Sequence, residues 1–295
     1  MDKFPSRERS AAAALEPRVS AIVVARHARA RVAGPSPLDL CLRSALAEPW
    51  IDDVVVVNHG APDAVASALR ALQADRRDLK VVNAEAADTA AEAVNLGAQH
   101  ARGRWLLFLG DNVVLRRGAV ARMAAAGGGA QAPWIVGGRL TDPEGRERSV
   151  ARPGALNAWS SLAVALNWAW PQSRRRQGEP AKVAAVSGAF MLITRHDFQA
   201  LGGFDEGFVS DAADLDLCRR AADSGGAILF QPAAAGVQFG RPPARGRRQA
   251  QGLALFAMRS AKTPAEKAFA LIARPALILV LGLKDLVAGH PPMRR

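Results

Sequence analysis

A chain of 295 residues with 49% apolar and 22% charged side chains can bury a full core, which excludes a disordered polypeptide outside its ends. Two cysteines, Cys41 and Cys218, lie too far apart in sequence for a disulfide framework or a close-spaced zinc pair, and point to a reducing, cytoplasmic setting. The net charge is +12, and residues 241–295 alone hold eleven Lys and Arg against Glu266 and Asp285, so the C-terminal stretch carries most of the excess.

Residues 1–17 are charged and lack a continuous apolar segment, as expected of a disordered leader and not of a signal peptide. Strand-type apolar runs then alternate with helical spacing. Val19 to Val24 reads as a strand, Leu38 to Ala47 as a helix, and the four valines Val54 to Val57 as a strand buried on both faces. Asp63 to Ala74 reads as a helix, Leu79 to Val82 as a strand, Thr89 to Ala101 as a helix, and Trp105 to Leu109 as a strand ending at Gly110, Asp111 and Asn112. Such alternation predicts right-handed βαβ units and an α/β fold with a mostly parallel, Rossmann-like sheet flanked by helices. Ligands of these sheets bind beyond the carboxyl ends of the strands, where the loops at Arg26, Asn58 and Asp111 should converge.

Further on, a helix is expected over Arg116 to Ala126 and strands over Trp134 to Gly138 and Ala227 to Phe230. Ala155 to Trp170 is an apolar, helix-like stretch with Trp159, Trp168 and Trp170, which serve either as packing residues or as an acceptor-binding wall. The organising segment is Val186 to Arg220. It opens with VSGAFMLIT, a buried-strand pattern, breaks at Gly202 and Gly203, and then places Asp205, Glu206, Asp211, Asp214 and Asp216 close together in a basic chain.

The succession VSAIVV, VVVVNHG, AEAVNLGAQHARGRWLLFLGDNVVL, GGRLTDPEGR, VSGAFMLITRHDFQALGGFDEGF and DLDLCRR resembles the family 2 inverting glycosyltransferases with the GT-A fold, in particular the bacterial rhamnosyltransferase-like subgroup. The resemblance covers roughly residues 18–240, leaving 241–295 as a basic helical C-terminal extension. It implies an enzyme of hexosyltransferase type that moves a sugar from a nucleotide-sugar donor to a hydroxyl of a polysaccharide or lipid-linked glycan in cell-envelope synthesis.

By the same resemblance Asp214 is the catalytic base, with Asp216 supporting it, in a segment where the family's acidic pair is reduced by Ala213. A capping arrangement, with Asp211 as cap and Asp214 at the third helical position, is the alternative for those carboxylates. The implied donor-binding positions are Ala25, Arg26, His27, Asn58, Asn95, Gly110 and Asp111, with a helix-surface amide as the alternative for Asn95. A divalent cation, Mg²⁺ or Mn²⁺, would fall to Asp111 and Asn112, where the family's Asp-x-Asp has become Gly110-Asp111-Asn112. Gln238 stands where the family has a late histidine, and Arg26 is a candidate to offset diphosphate charge in place of the metal.

The apolar run Phe269 to Leu283 is broken by Arg274 and Pro275 and falls short of the ~20 residues that span a bilayer. It suits an amphipathic element on an anionic membrane, peripheral at the inner face of the cell membrane, or a closing helix packed on the domain. Nucleic acid is not an expected partner, because no groove-reading motif accompanies the arginines.

Overall fold

The computed structural model describes residues 19–26, 34–148, 178–209, 212–240, 247–272 and 275. His27, Asp211, the tryptophans Trp159, Trp168 and Trp170, the leader and most of the apolar tail lie outside the described residues. In chain order the elements are β1 (Val19–Ala25), α1 (Pro37–Leu46), β2 (Ile51–Asn58), α2 (Asp63–Asp75), β3 (Leu79–Asn83), α3 (Ala90–His100), β4 (Trp105–Gly110) and β5 (Val113–Leu115). There follow α4 (Ala119–Gly128), β6 (Trp134–Thr141), β7 (Ala181–Lys182), β8 (Phe190–Thr194), α5 (Arg195–Ala200), α6 (Ala213–Asp223), β9 (Ala227–Gln238) and α7 (Arg247–Ser260).

All nine strands form one sheet in the order β3-β2-β1-β4-β8-β6-β9-β5, with β7 also paired to β9. Strands β3, β2, β1 and β4 run parallel, β8 runs against β4 and β6, and β9 returns to the direction of β6. The sheet is therefore mostly parallel with inserted antiparallel strands. The valine run of β2 shows why both faces must be covered: Val54 and Val56 belong to one apolar cluster and Val55 and Val57 to the other.

Local chemistry sets the helix starts. Ser36 and Asp39 form a reciprocal capping box with Pro37 in the first turn of α1, and Thr89 and Thr194 cap α3 and α5 by accepting from the N–H groups of Glu92 and Asp197. Helix α6 has no such cap. It starts from Ala212, whose φ of 76° is the only left-handed non-glycine backbone among the described residues.

Three elements differ from the sequence expectation. Val186 to Ala189 is a turn and the strand begins at Phe190, because the N–H of Gly188 is given to the Asp214 carboxylate and not to a strand ladder. Strand β9 continues past Phe230 to Gln238, since its far half pairs with β5, a three-residue strand too short to show in the sequence. The histidine-containing segment after β8 is the short helix α5.

Candidate active site

The parallel register lines up the expected donor-side residues. Ala25 lies opposite Asn58, Asn58 opposite Asn83, and Val24 opposite Gly110, so the ends of β3, β2, β1 and β4 open at one level. The Asn58 side chain donates to Asn83 Oδ1 at 3.1 Å and accepts from the Ala61 N–H at 3.2 Å, which holds it across the mouth of the crevice. Asn83, a partner that sequence reasoning did not single out, enters through this cross-strand contact. Arg26 follows directly on β1, its N–H donating to the Val24 carbonyl.

Asp214 reaches this row through the turn before β8. The N–H of Gly188 donates to Asp214 Oδ2 at 2.8 Å, and the N–H of Gly110 donates to the carbonyl of Ala189 at 2.9 Å. The carboxylate on α6 is thereby tied, through Gly188 and Ala189, to the end of β4. A side chain at Gly188 would bring its Cβ to 3.2 Å from the Asp214 Cβ, so the close approach depends on glycine. The signal for this turn was present in the sequence as Ser-Gly-Ala ahead of an apolar strand, but was absorbed into the strand.

Asp214 is the second residue of α6, not the third, and the residue at the cap position is Ala212, so the capping arrangement takes a different form from the one the sequence suggested. Burial pushes the Asp214 carboxyl above the ordinary carboxylate range, and the N–H groups of Gly188 and Leu215 oppose the shift. Cys218, one turn further along α6, is fully buried and its thiol is pushed up to about 12, mainly by burial, so it is an inert packing residue.

Asp216 has a different environment. It is 1% exposed, with Oδ1 accepting from Arg219 at 2.8 Å and Oδ2 from Arg220 at 2.7 Å. Arg220 also donates to the carbonyls of Leu201 and Gly203, clamping the glycine turn to α6. Gly202 and Gly203 both have positive φ, as a tight turn requires. Asn95 completes the clamp: its amide donates to the Phe204 carbonyl and to Glu206 and accepts from the Phe204 N–H. Asn95 directly, and Asp216 through Arg220, thus hold the turn at Gly203 and Phe204, while the register brings Ala25, Asn58 and Gly110 to one level, with Arg26 next to Ala25 and Asp111 and Asn112 following Gly110. Phe204 packs edge-on against Phe108 and Phe198, and Asp205 pairs with Arg259 of α7.

A family model described as "Glycosyltransferase like family 2" matches residues 17–274. The chain belongs to this family. Its fold is the GT-A glycosyltransferase fold, as comparison with solved structures also shows. GalNAc-T7, solved with UDP, GalNAc and Mn²⁺, superposes with a TM-score of 0.63 at 16% identity, covering 94% of this chain and 58% of that one. A mannosyltransferase from Pyrobaculum calidifontis, in complex with GDP-Man and Mn²⁺, gives 0.56 at 19% identity over 95% and 77% of the two chains. TarS 1-349 from S. aureus with UDP-GlcNAc gives 0.54 at 12% identity over 92% and 73%. No curated protein gives a significant match.

The family 2 chain spans little more than half of the GalNAc-T7 chain, so the likeness concerns the catalytic fold. The position that the family resemblance implies for a cation holds Asp111 and Asn112. Asp111 lies close enough to Cys41 of α1 for its charge to help raise that thiol, which burial raises most. Asn112 donates through Nδ2 to the Phe239 carbonyl at 2.7 Å. Among the described residues no three His, Cys, Asp or Glu side chains converge as a metal site. A groove of about 830 Å³ lies between α1 and α2, lined by residues such as Leu42, Val65 and Leu69 and by none of the expected donor-side residues.

Proposed function

We propose that this family 2 protein transfers a sugar from a nucleotide-sugar donor to a hydroxyl of a polysaccharide or lipid-linked glycan, with inversion at the sugar carbon. The nucleotides held by GalNAc-T7, the Pyrobaculum enzyme and TarS make UDP- and GDP-sugars the donors to test. The observation that carries the proposal is the position of Asp214, hydrogen-bonded to Gly188 and tied to the β4 end where Gly110 lies. From there its carboxylate takes the proton of the acceptor hydroxyl as that oxygen bonds to the anomeric carbon. The bond from that carbon to the donor diphosphate breaks, and the nucleoside diphosphate leaves with the electron pair.

In this assignment Asp214 is the catalytic residue and Asp216 a positioning residue that holds the acceptor-side turn through Arg220. Ala25, Arg26, His27, Asn58 and Gly110 bound the donor. Asn95, expected among them, supports the acceptor turn instead. The basic extension is assigned to the inner membrane surface, where lipid-linked acceptors reside.

A second reading has a specific support. Asn58, Gly110, Asn112 and Gln238 all replace groups that the family resemblance leads one to expect, which fits a protein that binds donors without turning them over. Transfer from UDP- and GDP-sugars, followed as nucleoside diphosphate release, separates the two. Asp214→Asn is expected to lower kcat about 10²–10⁴-fold, the range of a lost general base, with donor affinity little changed. Donor binding with no release in the unsubstituted protein sinks the enzyme assignment and establishes the binding one.

A further inference from the structure

The donor diphosphate needs a counter-charge as it leaves, and this chain is poorly equipped to supply it with a metal. A hard divalent cation takes several oxygens, preferably carboxylates. Here the expected ligand positions are Gly110, Asp111, Asn112 and Gln238, with one carboxylate among them. Asn112 is oriented by Phe239, donating through Nδ2 to its carbonyl and accepting its N–H at the Asn112 backbone carbonyl at 2.9 Å, which leaves one neutral amide oxygen beside the single carboxylate of Asp111. These residues do not fit the ion.

What stands beside them is an arginine, Arg148. The N–H of Arg148 donates to the Leu140 carbonyl, one residue after Arg139 on β6, and its Nη2 donates to the carbonyls of Gln238 at 3.3 Å and Gly240 at 2.6 Å. The guanidinium therefore brackets Phe239, the residue to which Asn112 is bonded. Arg148 Nε and Arg139 Nε are both buried without a hydrogen-bond partner. A buried donor left unsatisfied costs roughly 1–3 kcal/mol, so Arg148 Nε, at the exit of β6 and β9, is matched to an acceptor beyond the two carbonyls that its Nη2 already meets.

We propose that Arg148 binds the diphosphate of the donor in place of a divalent cation, so that this protein holds nucleoside diphosphates without metal. The inference rests on the nucleotide-sugar assignment above. Phosphate oxygens are the acceptors that guanidinium forks satisfy best, and a fixed cation on the protein does the electrostatic work of stabilising the departing charge.

Calorimetric titration of the full chain with UDP and with GDP, once in EDTA and once in excess Mn²⁺, tests this. The expected result is a Kd that agrees within about threefold between the two conditions, and that rises about 10–100-fold in both when Arg148→Ala removes a charge-assisted hydrogen bond. Arg148→Lys, which keeps charge but not the fork, should recover part of the loss. Should Arg148→Ala lower the thermal midpoint through its lost carbonyl contacts, Arg148→Gln, which keeps an N–H for those carbonyls and drops the charge, gives the same readout. Binding that tightens tenfold or more with Mn²⁺ and ignores Arg148 overturns the proposal while leaving the glycosyltransferase assignment intact. Absence of binding to either nucleotide in every condition overturns both.

Discussion

Two carboxylates of α6, two residues apart, illustrate how burial alone does not define a role. Asp216 is enclosed by two guanidinium groups, whereas Asp214 meets the backbone N–H groups of Gly188 and Leu215. If Asp214 is the base, as proposed, its raised pKa makes kcat/KM fall as pH drops through a value above the ordinary carboxylate range, because the base must be ionised. Its stability effect has the opposite sign. The folded state binds this proton more tightly than the unfolded chain, so the contribution is full below the ordinary Asp value and is lost as pH rises through the folded one. Asp214→Asn should therefore be at least as stable as the parent at about pH 7, with its advantage shrinking toward about pH 4 in thermal melts. By contrast, Asp216→Asn strips two arginines of their partner and should cost about 3 kcal/mol. If Asp216→Asn melted like the parent yet lost activity, Asp216 would belong to the chemistry and not to the scaffold.

At the scale of elements, the site depends on how closely α3 approaches the sheet. Gly97 lies against β1 and β2, and a Cβ there would come within 2.6 Å of Ile22 Cγ2 and 2.8 Å of Val57 Cγ2. Gly97→Ala gains helix propensity but overpacks this contact, with an expected net loss of about 1–3 kcal/mol in denaturant unfolding, larger for Gly97→Val. An unchanged unfolding midpoint would show that the helix can shift at no cost. Element positions were largely legible in the sequence: β1, β2, β3 and β4 emerge from apolar runs such as VVVV, and the helices from the helical spacing of the segments between them. What escaped were pieces without a periodic signature. Strand β5 is three residues long and exists only because β9 passes beside it. The Ser187–Ala189 turn looks apolar enough for a strand until Asp214, 26 positions away, claims its N–H.

The whole molecule carries its charge asymmetrically, and the C-terminal extension is only partly separate from the domain. Leu253, Ala254, Phe256 and Ala257 of α7 are buried in the same cluster as Phe204, Phe208 and Leu217, and Arg259 reaches Asp205 while covering the Phe208 ring. Among the described residues no helix is long and apolar enough to cross a membrane. The surface assignment for the remaining basic tail predicts co-sedimentation with vesicles containing anionic lipid, weakened severalfold on raising salt from about 0.1 M to 0.5 M as screening shortens to a few ångströms. Equal recovery with neutral vesicles, or salt-independent recovery, would count against it.

The sequence by itself determined the class of fold, the strand ends that should form a crevice, and Asp214 as the carboxylate to watch, because apolar periodicity and short motifs are local properties that a linear chain displays. It could not show which groups hold Asp214 and Asp216, or that Asn95 is bonded to Phe204 and Glu206, or that Arg148 reaches the carbonyls of Gln238 and Gly240. Those assignments depend on which distant groups meet a side chain, and only tertiary packing decides whether a carboxylate finds a guanidinium, a backbone N–H or the open mouth of a crevice.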